Sequence, residues 1–176
     1  CDNSTPEIIY EAIPESSVGK RLVEGTALIA SISSDKNHKV TEGLEATEIK
    51  YLSQKGLAMK LFIFEVDLTK NITIGTSTPD DKPNYGMQQM TEQARKKDTA
   101  ENPIWGAINA DFYNITSGMP QGIVYKNGLG IKTTFQDAVS TFFAIKKDGT
   151  AVVGDQAFYN TIKSDIKEAV GGRVTL

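Results

Sequence analysis

Apolar residues along this 176-residue chain recur in two rhythms, every third or fourth position in some stretches and every second in others. Residues 16–30 predict a helix entered through Ser16 or Ser17, although Gly19 and Gly25 each cost about 1 kcal/mol relative to Ala inside one. From 39 to 51, β-branched residues and alternating polarity at Thr41, Leu44, Ala46, Thr47, Ile49 and Tyr51 predict one half-buried strand. Gln54, Lys55 and Gly56 predict a turn. Residues 57–68 follow as a strand in which Leu61, Phe62, Ile63 and Phe64 make both faces apolar, which places it centrally in a sheet.

Pro79, Asp80, Asp81 and Pro83 make 76–85 a loop. Met87, Met90 and Ala94 then recur at helical spacing over 86–97, with Arg95, Lys96 and Lys97 in the last turn, where cations suit the helix dipole. The methionines read as core packing. Residues 104–109 predict a short buried strand. Residues 122–126 and 129–133 predict a hairpin about Asn127-Gly128, a pair that supplies the positive φ angles of a type I′ turn. Residues 141–145 and 151–153 repeat the pattern around Lys147, Asp148 and Gly149, giving a meander. Phe158, Ile162, Ile166 and Val170 line one face of a closing helix that stops at Gly171 and Gly172. Together these elements predict an α/β (α+β) fold, a mainly antiparallel sheet with a few packed helices.

The length suits one domain, expected over 16–176 and preceded by a flexible tether over 1–15. With 39% apolar and 23% charged residues the chain is expected to fold, and a net charge of −3 without a basic block leaves nucleic acid aside as a partner. The most apolar stretch, 22–32, is interrupted by Glu24, Gly25, Thr26 and Ser31 and falls short of the roughly 18 residues of a membrane span. The single cysteine, Cys1, excludes an internal disulfide and any multi-cysteine metal site. A chain opening on Cys1 and a polar run from Asp2 to Glu7 resembles a mature bacterial lipoprotein, exported and held at the periplasmic or cell-surface membrane only through lipids on Cys1. The alternative is an arbitrary boundary that falls on a cysteine.

His38, the only histidine, lies in the polar run 33–39 and reads as a solvated loop residue, and Asp80 and Asp81 lack the spacing of a calcium loop. No metal and no cofactor are expected. Asn3, Asn71 and Asn114 each open an N-x-Ser/Thr triplet, which matters only in a eukaryotic secretory pathway.

The most loaded segment runs Ala107-Ile108-Asn109-Ala110-Asp111-Phe112-Tyr113-Asn114, then Gly118-Met119-Pro120-Gln121-Gly122, then Asn127-Gly128. In order and spacing it resembles the signature of the phosphodiester glycosidase family, with further likeness at Val66-Asp67-Leu68, before Trp105 and at Glu168-Ala169-Val170-Gly171-Gly172, over roughly 39–176. The resemblance implies a hydrolase that releases a sugar from a sugar 1-phosphodiester. The family pattern continues past the Gly-Gly pair into a further strand, an arginine-bearing segment and a glycine-rich loop. Residues 173–176 read as the opening of that strand, so the chain is expected to be a piece of a larger domain. The alternative is a glycan-binding or scaffolding lipoprotein without the chemistry.

Cleavage at a sugar carbon passes through an oxocarbenium-like state that a carboxylate stabilises or serves with water, while a departing phosphate needs cations or N–H donors more than a general acid. Asp111 is the candidate carboxylate, although the family pattern leaves its position variable and an Asp in a turn also bonds nearby backbone N–H groups. The resemblance puts Asn109 beside it as a catalytic candidate, either binding a sugar hydroxyl or phosphate or tying the loop together. Tyr113, Asn114 and Gln121 are candidate substrate-binding residues, with Phe112 or Tyr113 offering a ring to a sugar face or packing inward.

Overall fold

The computed structural model describes residues 11–136 and 139–173. The chain forms two compact units, 1–72 and 73–176, and its described residues are α+β: two antiparallel sheets of three and five strands with three helices. Cys1 and most of the expected tether lie outside the described residues, as do 174–176.

In the first unit, helix α1 (Ser17–Gly25) starts where the sequence signals it. The Ser16 hydroxyl accepts the Gly19 N–H, and the helix ends at Gly25 rather than running to residue 30. The Asp35 carboxylate accepts from the Ser16 hydroxyl and from the N–H groups of Ser16 and Glu15, tying the helix start to the sheet. Three strands follow in the order β1 (Ile29–Thr41), β2 (Leu44–Ser53) and β3 (Ala58–Val66). The single strand expected over 39–51 is therefore a hairpin, broken at Glu42-Gly43. The polar run 33–39, His38 included, is strand and not loop: its one buried polar side chain, Asp35, is satisfied at the helix start, and the exposed Asn37 bonds the Thr47 hydroxyl across the pair. β3 is an outer strand rather than a central one, and Phe62 on its open face is 68% exposed. Val18, Ile29, Leu44 and Ile49 form the buried apolar set of this unit.

The second unit opens with a loop containing a single helical turn, Pro79–Asp81, and continues into α2 (Met90–Lys97). Met87 and Met90 are exposed, so they are not core residues, and helix begins at Met90 rather than at 86. Residues 104–109 form no strand; Ile108 is 77% exposed. Two hairpins follow as the turn signals predict, β4 (Val124–Lys126) with β5 (Leu129–Lys132) and β6 (Thr141–Lys146) with β7 (Ala151–Asp155). Asn127 and Gly128 hold φ of 50° and 82°, as a type I′ turn requires.

The closing segment departs most from expectation. Only Gln156–Ile162 is helix (α3), capped by the Asp155 carboxylate on the Phe158 N–H, and Ile166–Gly172 is a strand, β8. β8 lies between β4 and β6, so the order is β5-β4-β8-β6-β7 and the two hairpins are not a continuous meander. The four-residue spacing of Ile162, Ile166 and Val170 satisfies a strand's even period as well as a helix turn, and the pairing partners decide between them. Ile123, Tyr125, Phe142, Ala144, Tyr159, Ile166 and Ala169 make one buried cluster, in which the Tyr125 and Tyr159 hydroxyls lie 2.7 Å apart. Burial, then the bond from Tyr125, pushes the Tyr159 hydroxyl above the usual tyrosine range.

Candidate functional site

Residues 111–122 of the second unit fold back on themselves. Gln121 N–H donates to the Phe112 carbonyl and Asn114 N–H to the Met119 carbonyl, each at 2.9 Å, with Tyr113 and Pro120 bridged between them. The tip is closed by Asn114, whose carbonyl accepts the Gly118 N–H and whose side-chain oxygen accepts from Thr116 and Ser117. Gly118 has φ of 72°, and a Cβ there would stand 2.8 Å from the Gly86 backbone, so both the turn and the close approach of the 86–87 loop require glycine.

The base of this loop is where Asp111 sits. One carboxylate oxygen accepts the Gly122 N–H. It occupies a slot left by two glycines, Gly171 on β8 and Gly122 just before β4: a Cβ on Gly171 would lie 2.7 Å from that oxygen, and one on Gly122 would lie 3.0 Å from it. The Gly-Gly pair of β8 is thus a point of close backbone approach instead of a helix stop. The other oxygen, Oδ1, is buried and has no hydrogen-bond partner among the described residues. A buried carboxylate oxygen without a donor is uncommon in folded proteins and points to a water, an ion or a substrate group.

Cations flank the loop. Lys132 on β5 reaches the Gln121 carbonyl at 3.1 Å and the Thr134 carbonyl, holding the returning arm. Burial lowers its ammonium below the ordinary lysine range, with the Asp111 charge pulling the other way. The Arg173 guanidinium stands 5.6 Å from the centroid of the Phe112 ring. Neither residue is singled out by local pattern. Lys132 arrives through the hairpin register that sets it opposite Val124, and Arg173 through β8 lying at the sheet centre.

Of the residues expected at a site, Asp111, Gln121 and Asn114 share this loop, Gln121 pinned by its backbone and Asn114 engaged in shaping the tip. Tyr113 and Phe112 are 50% and 57% exposed, so neither packs inward. Asn109 is exposed on the irregular stretch before the loop and not at a strand end. Cys1 lies outside the described residues. Two described cavities, of about 420 and 530 Å³, lie on the first unit near Glu42 and His38 respectively and include none of these residues. Among the described residues no group of three or more His, Cys, Asp or Glu side chains is placed to hold a metal ion, and no helix is long and apolar enough to cross a membrane. Comparison with protein-family models and with curated proteins finds no match to this chain.

Proposed function

We propose that this chain belongs to a bacterial envelope hydrolase that releases a sugar from a sugar 1-phosphodiester, with Asp111 as its carboxylate. The observation that carries the reading is the buried Oδ1 of Asp111, without a partner among the described residues, on a loop flanked by Lys132 and Arg173 and fronted by exposed aromatic rings. In the proposed reaction the bond between the sugar C1 and the phosphate oxygen breaks and the phosphate departs as an anion. A water oxygen joins C1 and gives its proton to the Asp111 carboxylate. Lys132 and Arg173 offset the charge of the departing phosphate, and Tyr113 or Phe112 covers an apolar sugar face. Asn109 and Gln121 supply amide contacts to hydroxyls. The motif order from Asn109 to Gly128 supports the same reading, and in it Cys1 carries the lipids that hold the domain at the membrane.

A second reading, a glycan-binding lipoprotein without turnover, is favoured by the exposure of Trp105, Phe112 and Tyr113 on one segment. Release of free sugar from a panel of sugar 1-phosphodiesters separates the two. Turnover that Asp111→Asn lowers by about 100-fold or more supports the hydrolase. Saturable 1:1 binding without product supports the binding protein, and neither binding nor release removes both.

A further inference from the structure

At the Lys126 end of β4, away from Asp111, a second polar cluster is buried in the same unit. Lys126 is only 5% exposed. Its ammonium donates to Asp81 Oδ1 at 2.6 Å and to the Thr76 carbonyl at 2.8 Å, and the Lys97 ammonium lies 3.3 Å from the same Asp81 oxygen. Two cations therefore share one carboxylate. The neighbouring buried acid, Glu168, spends its oxygens on the N–H groups of Thr76 and Asn127. Burial pulls Lys126 below the ordinary lysine range, and Lys97 adds to this against the opposing pull of Asp81.

The carboxylate that closes this pair comes from a strained surface turn. Asp80 and Asp81 hold φ of 55° and 57°, a region that non-glycine residues seldom occupy, and the Asp81 side chain is 39% exposed, so it lies at the mouth of the cluster while Lys126 lies at its floor. Without the Asp81 carboxylate, two ammonium groups, one of them desolvated, converge on the position it occupies, which is the donor set for a phosphate or other tetrahedral oxyanion. We propose that Lys126 and Lys97 form a binding site for a phosphate-type oxyanion, which Asp81 holds shut by occupying it. The oxyanion competes with Asp81, and its apparent affinity is lowered by the fraction of molecules in which the site is closed.

The test is calorimetric titration of inorganic phosphate into the full chain and into Asp81→Ala and Asp81→Asn, with chloride at matched ionic strength as the control. Asp81→Ala is expected to bind phosphate at least about tenfold more tightly than the unchanged protein, and Lys97→Met in that background to abolish the gain. A phosphomonoester such as glycerol 3-phosphate, run in parallel, tells a free-phosphate site from one for a phosphorylated molecule: tighter binding of the ester assigns the latter. A variant that folds only when phosphate is added also supports the site. Folded Asp81 variants that bind no phosphate, an effect that chloride reproduces, or variants that fold neither with nor without phosphate overturn it, the last because Asp81 is then an irreplaceable structural partner.

Discussion

Asp111 accepts the Gly122 N–H through one carboxylate oxygen and buries the other, which has no hydrogen-bond partner among the described residues. The first oxygen has a structural duty, and the second is the one the proposed reaction uses; substitution separates the two. Asp111→Ala leaves the Gly122 amide without its acceptor and is expected to lower stability by about 1–3 kcal/mol. Asp111→Asn keeps an acceptor of the same shape and is expected to lower it by less than the alanine. Urea denaturation of the two variants beside the unchanged protein measures both; equal losses would show that the Gly122 bond contributes nothing.

Gly171 faces that slot from β8. A Cβ there would stand 2.7 Å from both the Asp111 carboxylate and the Gly122 Cα, and backbone cannot yield as a flexible side chain can. Gly171→Ala is expected to destabilise the second unit by about 1–3 kcal/mol, as overpacking does. Gly128→Ala, in the type I′ turn, has open space around it and φ of 82°, so its cost comes from backbone strain alone. Thermal melts of the pair test whether close approach, and not the Gly-Gly sequence as a helix stop, explains these residues.

What the sequence shows of this fold is what short stretches determine by themselves. The Ser16 cap, the Asn127-Gly128 turn and the Lys147-Asp148-Gly149 turn are signalled by neighbouring residue types, and all three are where those types place them, although each also bonds a distant residue: Asp35, Lys167 and Asp165 respectively. The strand at 166–172 depends on partners on β4 and β6 that are twenty or more residues away, and its own apolar spacing suits a helix equally well. Met87, Met90 and Ile108 are apolar yet exposed, so the rule that apolar residues are interior misplaces them. At the candidate site the sequence predicts that Asn114 binds substrate, and its part in closing the loop tip is not legible there. The seating of Asp111 between two glycines and the arrival of Lys132 are not legible either, because both depend on strand register.

Trp105 is the only tryptophan and is 51% exposed, close in sequence to the exposed Ile108, Phe112 and Tyr113. Its fluorescence is expected to be solvent-like and open to quenching by iodide in the free protein. If this segment meets a glycan, saturating sugar phosphodiester shifts the emission to shorter wavelength and protects it from the quencher. Unchanged emission and quenching at a concentration where binding is shown by calorimetry would place the ligand elsewhere.

In the first unit, Asp35 gives a stability that depends on pH in one direction. Burial alone raises its pKa, but the Ser16 hydroxyl and then the N–H groups of Ser16 and Glu15 outweigh burial, and the carboxyl is held below the ordinary aspartate range. A carboxyl with a lower pKa folded than unfolded contributes fully above the unfolded value of about 4 and loses its contribution as the pH falls through the folded value. The stability difference between the unchanged protein and Asp35→Asn is therefore expected to be largest near about pH 6 and to shrink toward about pH 3. A difference that stays constant over that range would mean the hydrogen bonds do not favour the charged form. Gly19→Ala probes the same contact from the helix, because its methyl group would overlap the Asp35 carboxylate. In an open helix that substitution stabilises by about 1 kcal/mol; here it is expected to destabilise, and the reversal of sign is the signature of a carboxylate held too firmly to move aside.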